Sequence, residues 1–252
     1  MRKYQHHLIA LLLATPGVTL AQAQAQDDPP AVEVSGVRNP ELRSYRNIVA
    51  GLDAFVEHHA LAPNAPELRF RLRPKRGQPP LEKGEPLSVR IVGNGEPVVL
   101  PVAADDTFTV PRLQSALDEN ADMILNRRKG LVDGMPQVRT PGLPDNVRRL
   151  GDVRLECQVL TAIGKREMGF MLRAAISTVM FSGNWCGQKK AQFWFSASRP
   201  LQSAVIRENG REGEVKVQKW SFLPPVGDDS WSNEALIELS FAPQATETTA
   251  DQ

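Results

Sequence analysis

The sequence predicts an α+β protein, in which a small β-rich unit with a leading amphipathic helix precedes an antiparallel α+β unit. Apolar residues recur first at steps of three and four, as on one face of a helix, and then at steps of two along several short segments, as on strands. Stretches rich in Gly and Pro separate these segments. Hydrophobic residues make up 41% of the 252 residues, which is enough to bury a core. A sandwich is one option for the β-rich unit.

The first 25 residues have the features of a secretory signal peptide. Arg2 and Lys3 form a positive start, residues 8–14 form an apolar run, and Ala-x-Ala sites precede cleavage after Ala23 or Ala25. A proline and a glycine interrupt the apolar run well before the roughly 20 residues that a membrane span needs. We therefore expect export to the periplasm, with an extracellular location as the alternative, and no integral membrane segment after cleavage.

The charge balance argues against nucleic acid as a partner. The chain has 30 basic and 29 acidic residues, and removal of Arg2 and Lys3 would leave 28 basic and 29 acidic residues. Nucleic-acid-binding domains usually carry a clear basic excess.

The leading unit, residues 31–140, is expected to contain a short strand at 31–36 and then one helix. Asn39-Pro40-Glu41 has the residue types that favour a helix start. The apolar face that follows comprises Leu42, Tyr45, Ile48, Val49, Leu52, Phe55 and Val56. The later elements expected are a strand from Glu67, a hairpin of Leu87–Val92 and Pro97–Val102, a strand at Thr107–Val110, a helix at Leu113–Asn120 and a strand at Ala121–Arg128.

The second unit, residues 145–242, is expected to follow a boundary rich in Gly and Pro at 134–146. Alternation over 153–159 predicts a strand, and apolar spacing over Met168–Met180 predicts a core-facing helix. The remaining expected elements are a strand around Phe195, a hairpin of Ala204–Glu208 and Glu214–Gln218, a last strand through Ile237, Leu239 and Phe241, and a disordered tail at 243–252.

The two cysteines, Cys157 and Cys186, are expected to form one disulfide. An even count in an oxidising compartment favours pairing. A reactive thiol is the alternative, but the sequence has no C-x-x-C motif and no histidine in the same half of the chain.

An arginine row on the strand from Glu67 is the strongest local charge feature. Arg69, Arg71 and Arg73 alternate with apolar residues, so all three are expected on one face of the strand. Arginine suits carboxylate and phosphate groups. The alternative is a solvated or edge-protecting face. Arg127–Lys129 and Arg148-Arg149 join this patch only if folding brings them near.

Catalytic and metal motifs are weak in this sequence, and no cofactor or metal is expected. His58 and His59 are adjacent, so they would not face one another on a helix, and we expect them at a helix end. The acidic pairs Asp105-Asp106, Asp118-Glu119 and Asp228-Asp229 are typical of turns. Nucleophile motifs such as G-x-S-x-G do not occur. Trp231 is expected to be either a packing residue or a platform on which a ligand stacks.

Two segments of the second unit resemble uncharacterised exported proteins of proteobacteria. They are residues 148–157, RRLGDVRLEC, and residues 231–236, WSNEAL. Separately, residues 87–111, which end in Phe-Thr-Val-Pro, resemble the strands of transthyretin-like modules. That resemblance implies a β-sandwich that binds or supports other molecules, and it implies no catalytic residues.

We therefore expect an exported, non-enzymatic module that binds an anionic envelope component or a protein, through the arginine row and Trp231. One alternative is a hydrolase of an envelope polymer, with paired carboxylates that include Asp228 or Asp229. Another is a structural subunit of an envelope assembly, which a large exposed apolar patch would favour.

Overall fold

Three helices and fourteen strands form the described part of the protein. The structure is a computed structural model that describes residues 36–75, 77–78, 86–168, 184–189 and 192–243. The strands make four sheets, and every strand pair is antiparallel. The predicted α+β class is confirmed.

The helices are α1 (Tyr45–Glu57), α2 (Gln114–Asp118) and α3 (Leu150–Glu167), and a 3₁₀ turn (His59–Leu61) follows α1. The short helix predicted at 113–120 is confirmed by α2. No helix in the described ranges is long and apolar enough to cross a membrane.

The first seven strands lie between residues 40 and 137. They are β1 (Pro40–Ser44), β2 (Arg69–Pro74), β3 (Val89–Val92), β4 (Val98–Leu100), β5 (Thr107–Phe108), β6 (Asp122–Arg128) and β7 (Val132–Gln137). One sheet has the order β1-β6-β3-β4 and another has the order β5-β2-β7. The predicted hairpin is confirmed by β3 and β4, and the strands predicted near 107 and 121 are confirmed by β5 and β6.

The other strands are β8 (Val147–Arg149), β9 (Phe195–Ser196), β10 (Leu201–Glu208), β11 (Arg211–Glu214), β12 (Lys216–Gln218), β13 (Ser221–Leu223) and β14 (Leu236–Phe241). They form sheets with the orders β11-β10-β14-β8 and β12-β13-β9. The predicted last strand is confirmed by β14, in which Ile237 and Leu239 are buried.

The predicted start of the first helix at Asn39 is wrong, because residues 40–44 form β1 and α1 begins at Tyr45. β1 lies at the edge of its sheet and pairs with β6, and a proline is tolerated at a strand start and on an edge. Glu41 accepts a hydrogen bond from the Gly130 amide instead of serving a helix start.

The predicted strand at 153–159 is also wrong, because this segment lies in α3. Val153 and Cys157 face one group of buried residues, whereas Leu155 and Val159 face another. A helix that is apolar on two faces has apolar residues at alternate positions here, and that spacing imitates the period of a strand.

The first residues of the predicted boundary segment form a strand, and the second hairpin is tighter than expected. Gly134 and Pro136 lie within β7, an edge strand paired with β2, which tolerates the proline. Asn209 and Gly210, with φ of 49° and 78°, form the turn between β10 and β11. Lys216–Gln218 then pairs in the other sheet as β12.

Buried residues form two cores, and α3 contributes to both. In the first core, Leu155, Val159 and Ile163 of α3 pack with α1 and with strands β2, β3 and β6. In the second core, Leu150, Val153 and Cys157 pack with β10, β13 and β14. Backbone contacts group Val37 onward as one compact unit. The division into units at 140–145 stays a prediction.

Several predicted segments lie outside the described residues. They are the signal peptide at 1–25, the strand at 31–36 apart from Gly36, the helix at 168–180 apart from Met168, and the tail beyond Pro243.

Candidate functional site: the arginine face of β2

The predicted alternation along β2 holds at the level of side-chain burial. Phe70 and Leu72 are 2% and 4% exposed in the first core, whereas the arginines between them are partly exposed. The rings of Phe70 and Phe108 stack at 5.7 Å between centroids and so fix the inner side of β2 against β5. The arginine side chains therefore leave β2 on the opposite face.

Arg69 and Arg71 share an outer surface, which we call the arginine surface. Their side chains are 39% and 33% exposed. A guanidinium nitrogen of Arg71 lies 3.3 Å from a carboxylate oxygen of Asp105, and one of Arg69 lies 3.8 Å from Glu67. Residues two apart on a strand lie about 7 Å apart, so a single extended anionic group can reach both guanidinium groups.

Asp105 is the acidic neighbour best held in place. Its carboxylate accepts hydrogen bonds from the Thr107 hydroxyl at 2.6 Å and from the Thr107 amide at 3.3 Å. Burial alone would raise the pKa of Asp105, but these bonds and the charges of Arg71 and Arg69 outweigh it and lower that pKa. Asp105 is therefore a charged turn residue at the margin of the arginine surface.

The Nε atoms of Arg69 and Arg71 are buried, and no atom of the described residues accepts a hydrogen bond from either. A buried donor without an acceptor costs about 1–3 kcal/mol. The contacts to Glu67 and Asp105 use the terminal nitrogens only. Because the Nε atoms are buried, a ligand on the arginine surface would meet the terminal nitrogens of the two guanidinium groups.

Arg73 has a different electrostatic environment from Arg69 and Arg71. Burial lowers the pKa of its guanidinium, and the negative charges of Asp133 and Glu156 oppose that shift. Arg73 also pairs with Asp133 across the β2–β7 ladder. Arg73 therefore lies near the charges of Asp133 and Glu156, whereas Arg69 and Arg71 contact the exposed side chains of Glu67 and Asp105.

Trp231 lies in the second core and is 5% exposed. The guanidinium carbon of Arg211 lies 3.8 Å from the centre of its ring. This environment agrees with the expectation that Trp231 is a packing residue. Trp231 is therefore not part of the proposed binding surface.

The cysteines pair as the sequence predicts. Cys157 on α3 and Cys186 form a disulfide, with Cα atoms 6.0 Å apart. Cys157 and Cys186 are 0% and 2% exposed, so the pair is part of the second core.

The other candidate residues have structural partners. His59 contacts the Ala65 carbonyl at 2.9 Å, and His58 lies 4.0 Å from Glu57. Asp228 accepts a hydrogen bond from the Ser230 amide, which lowers the pKa of Asp228, as expected of a turn residue. Within the described ranges, no group of three or more His, Cys, Asp or Glu side chains is placed to hold a metal ion.

A buried charge group around the start of α3 is not among the predicted sites. Arg148 and Glu156 form an ion pair at 2.7 Å, and Glu156 also accepts a hydrogen bond from the Val138 amide. Asp152 accepts hydrogen bonds from the amide and hydroxyl of Thr140. Burial raises the pKa of Glu156, but Asp152 and Glu156 are 1% and 3% exposed, so substrate does not reach them.

The two segments that carry the resemblance to exported proteins contact each other. Arg149 pairs with Glu234 through two nitrogens, and Arg154 donates to the side-chain oxygen of Asn233 at 2.7 Å. Arg148 and Arg149 are thus used internally and add nothing to the arginine surface. Five charged residues between 148 and 156 were the sequence signal for this group.

Comparisons of the chain with protein-family models, with curated proteins and with solved structures find no match. The resemblances to uncharacterised exported proteins and to transthyretin-like modules stay expectations.

Proposed function

We propose that this protein is an exported, non-enzymatic binding module of the cell envelope that holds an anionic group on the arginine surface. The observation that carries this proposal is the placement of Arg69 and Arg71 on one face of β2, with both side chains partly exposed.

The chemistry of the surface favours a carboxylate or phosphate ligand. A guanidinium donates two parallel hydrogen bonds to either group, and such charge-assisted bonds are stronger than neutral ones. Glu67 and Asp105 each contact one arginine through its terminal nitrogens. A ligand with two anionic groups would replace or supplement these contacts.

The disulfide supports the exported location. Disulfides persist in oxidising compartments and are rare in the cytosol. The periplasm is the oxidising compartment that a chain with the predicted signal peptide reaches first, and it contains phosphate groups on lipopolysaccharide and carboxylates on peptidoglycan. The two envelope polymers therefore serve as separate probes.

A binding experiment with the disulfide-containing protein tests this proposal. We expect Arg69→Gln with Arg71→Gln to weaken binding to lipopolysaccharide or to isolated peptidoglycan by about 100-fold, because two charge-assisted contacts worth about 1.5–3 kcal/mol each are lost. Sedimentation with each polymer measures the affinity. Loss with lipopolysaccharide identifies a phosphate ligand, and loss with peptidoglycan identifies a carboxylate ligand.

The matched control removes two other exposed arginines, Arg46 and Arg112, which contact the Leu117 carbonyl and Asp53. Arg46→Gln with Arg112→Gln has the same change in net charge and should leave the affinity unchanged. Equal affinity of the parent protein and the Arg69/Arg71 variant for both polymers would overturn the proposal.

A further inference from the structure

The three-stranded sheet β12-β13-β9 has one buried face and one exposed face. Phe195 and Phe222 are opposite each other in the ladder and lie in the second core, 5% and 0% exposed. The residues that alternate with them point outward. Lys216 is paired with Leu223 on this outer face, and Trp194 precedes Phe195 at the position where the ladder continues.

Two of the four tryptophans are exposed at this sheet. Trp194 is 39% exposed and Trp220, in the turn between β12 and β13, is 50% exposed. The amide of Ala197 donates to the carbonyl of Trp220 at 3.0 Å, so Trp220 lies at the end of this ladder that is opposite to Trp194. A large apolar ring in solvent loses the favourable free energy of burial, about 25 cal/mol per Å².

The segments that build this sheet carry only positive charge. Residues 192–206 and 215–227 contain Arg199, Lys216 and Lys219 and no Asp or Glu, although the whole chain has nearly equal numbers of basic and acidic residues. Within the described ranges, none of these three cations forms an ion pair, and Arg199 lies over the Phe241 ring at 4.0 Å. We call the outer face of this sheet, together with the turn residues Lys219 and Trp220 at its end, the basic-aromatic sheet.

We propose that the basic-aromatic sheet docks the protein on a negatively charged lipid surface. Tryptophan is enriched where an apolar ring and its polar N–H meet the headgroup level of a bilayer. Lysine adds attraction to anionic lipid, and its long stem lets the ammonium reach the headgroups. Compact ligands bind in concave sites with converging polar groups. Here cations and rings occupy the outer face and end of a sheet, which fits an extended anionic surface.

This inference is independent of the proposed function, because β2 and the basic-aromatic sheet belong to different sheets. Vesicles of phosphatidylglycerol in phosphatidylcholine are the probe, and phosphatidylcholine vesicles are the reference. We expect co-sedimentation with the anionic vesicles only. Lys216→Gln with Lys219→Gln should weaken that binding about 30-fold, since each lysine near the surface is worth about 1 kcal/mol.

A second variant tests the aromatic part. Trp220→Ser should weaken binding to anionic vesicles by about tenfold or more, because the ring no longer enters the interface. Val56→Ser is its control, because Val56 is 69% exposed on α1, outside this sheet. Trp220 is exposed, so its replacement leaves the cores intact.

Arg46→Gln with Arg112→Gln is the control for charge, because it changes the net charge by the same amount, and it leaves vesicle binding unchanged in this proposal. Equal binding to neutral and anionic vesicles, or unchanged binding of the Lys216/Lys219 and Trp220 variants, would overturn the docking proposal. Retention by peptidoglycan but not by vesicles would also overturn it. Loss of polymer binding in the Arg69/Arg71 variant alone would support the proposed function and leave the docking result as measured.

Discussion

At the scale of single residues, Gly151 lies where three backbone segments meet. Its amide donates to the Asn233 carbonyl at 2.9 Å. A Cβ at this position would lie 2.1 Å from the Leu61 carbonyl oxygen and 3.0 Å from that of Asn233. Backbone atoms do not yield as a flexible side chain does, so the position requires glycine.

We expect Gly151→Ala to lower the free energy of unfolding by about 3 kcal/mol, the upper part of the usual range for overpacking. Gly164→Ala on the same helix is the matched control, because nothing lies within 4 Å of the Cβ it would add. That variant should be neutral or stabilising by up to about 1 kcal/mol. Urea denaturation measures both, and equal midpoints for the two variants would contradict the prediction.

Glu41 makes the stability depend on pH. Its side chain is 12% exposed, lies 3.1 Å from the Lys75 ammonium and accepts a hydrogen bond from the Gly130 amide. Burial alone would raise the pKa of Glu41, but these partners lower it below its ordinary 4.5. A carboxyl with a lowered pKa in the folded state stabilises the protein above its ordinary pKa, and this stabilisation is lost as the pH falls through the folded value.

We therefore expect the free energy of unfolding to decrease as the pH falls below about 4.5, and Glu41→Gln to reduce this decrease. Denaturation in urea at a series of pH values measures it. Glu96→Gln, at an exposed position, should keep the pH dependence of the parent protein. The same pH profile for the parent and Glu41→Gln would show that Glu41 does not contribute.

Residue-scale prediction from the sequence works where the chemistry is local. The alternation of Phe70 and Leu72 with arginines predicts their burial correctly, because neighbours on a strand face opposite sides. The electrostatic environment of Arg73 depends on Asp133 and Glu156, which are distant in sequence. No spacing rule connects these three residues, so the sequence alone could not predict that the environment of Arg73 differs from that of Arg69 and Arg71.

At the scale of elements, α3 shows why the spacing of apolar residues can predict a strand where the chain forms a helix. A helix with one buried face repeats at three and four residues, but α3 is buried on two faces, by Val153 and Cys157 on one and by Leu155 and Val159 on the other. Strands such as β2 and β14 have one buried face each, and their period of two predicts them correctly.

The disulfide joins α3 to a segment 29 residues later in the chain. We expect Cys157→Ala with Cys186→Ala to lower the free energy of unfolding by about 3–4 kcal/mol, because the unfolded chain gains the freedom that the crosslink removes. Denaturation of both proteins in urea measures the difference. The parent protein treated with a reductant serves as control and should lose a similar amount, and an unchanged midpoint in the variant would contradict the prediction.

At the scale of the whole molecule, α3 couples the two cores. All four tryptophans lie between residues 185 and 231, and Trp231 is buried in the second core, so its change in fluorescence on unfolding reports on that core. Ile163 is 5% exposed and packs in the first core. Because both cores use α3, loosening the first should also loosen the second.

We expect Ile163→Ala to lower the denaturation midpoint detected by tryptophan fluorescence, by an amount equivalent to about 2–5 kcal/mol. Circular dichroism in the far ultraviolet should give the same midpoint as fluorescence, as expected for one cooperative transition. Val56→Ala, an exposed change on α1, is the control. A fluorescence midpoint that stays fixed while the dichroism midpoint falls would show two units that unfold separately.

The pairing of strands also sets an order in which the fold can be completed as the chain leaves the ribosome. β14 lies between β10 and β8, and its Leu236 pairs with Arg149, which precedes α3. The sheet therefore cannot be completed until residues near 241 have been synthesised. The ion pair between Arg149 and Glu234 also forms only at that late stage. A chain that lacks β14 would therefore leave β8 without its strand partner in this sheet.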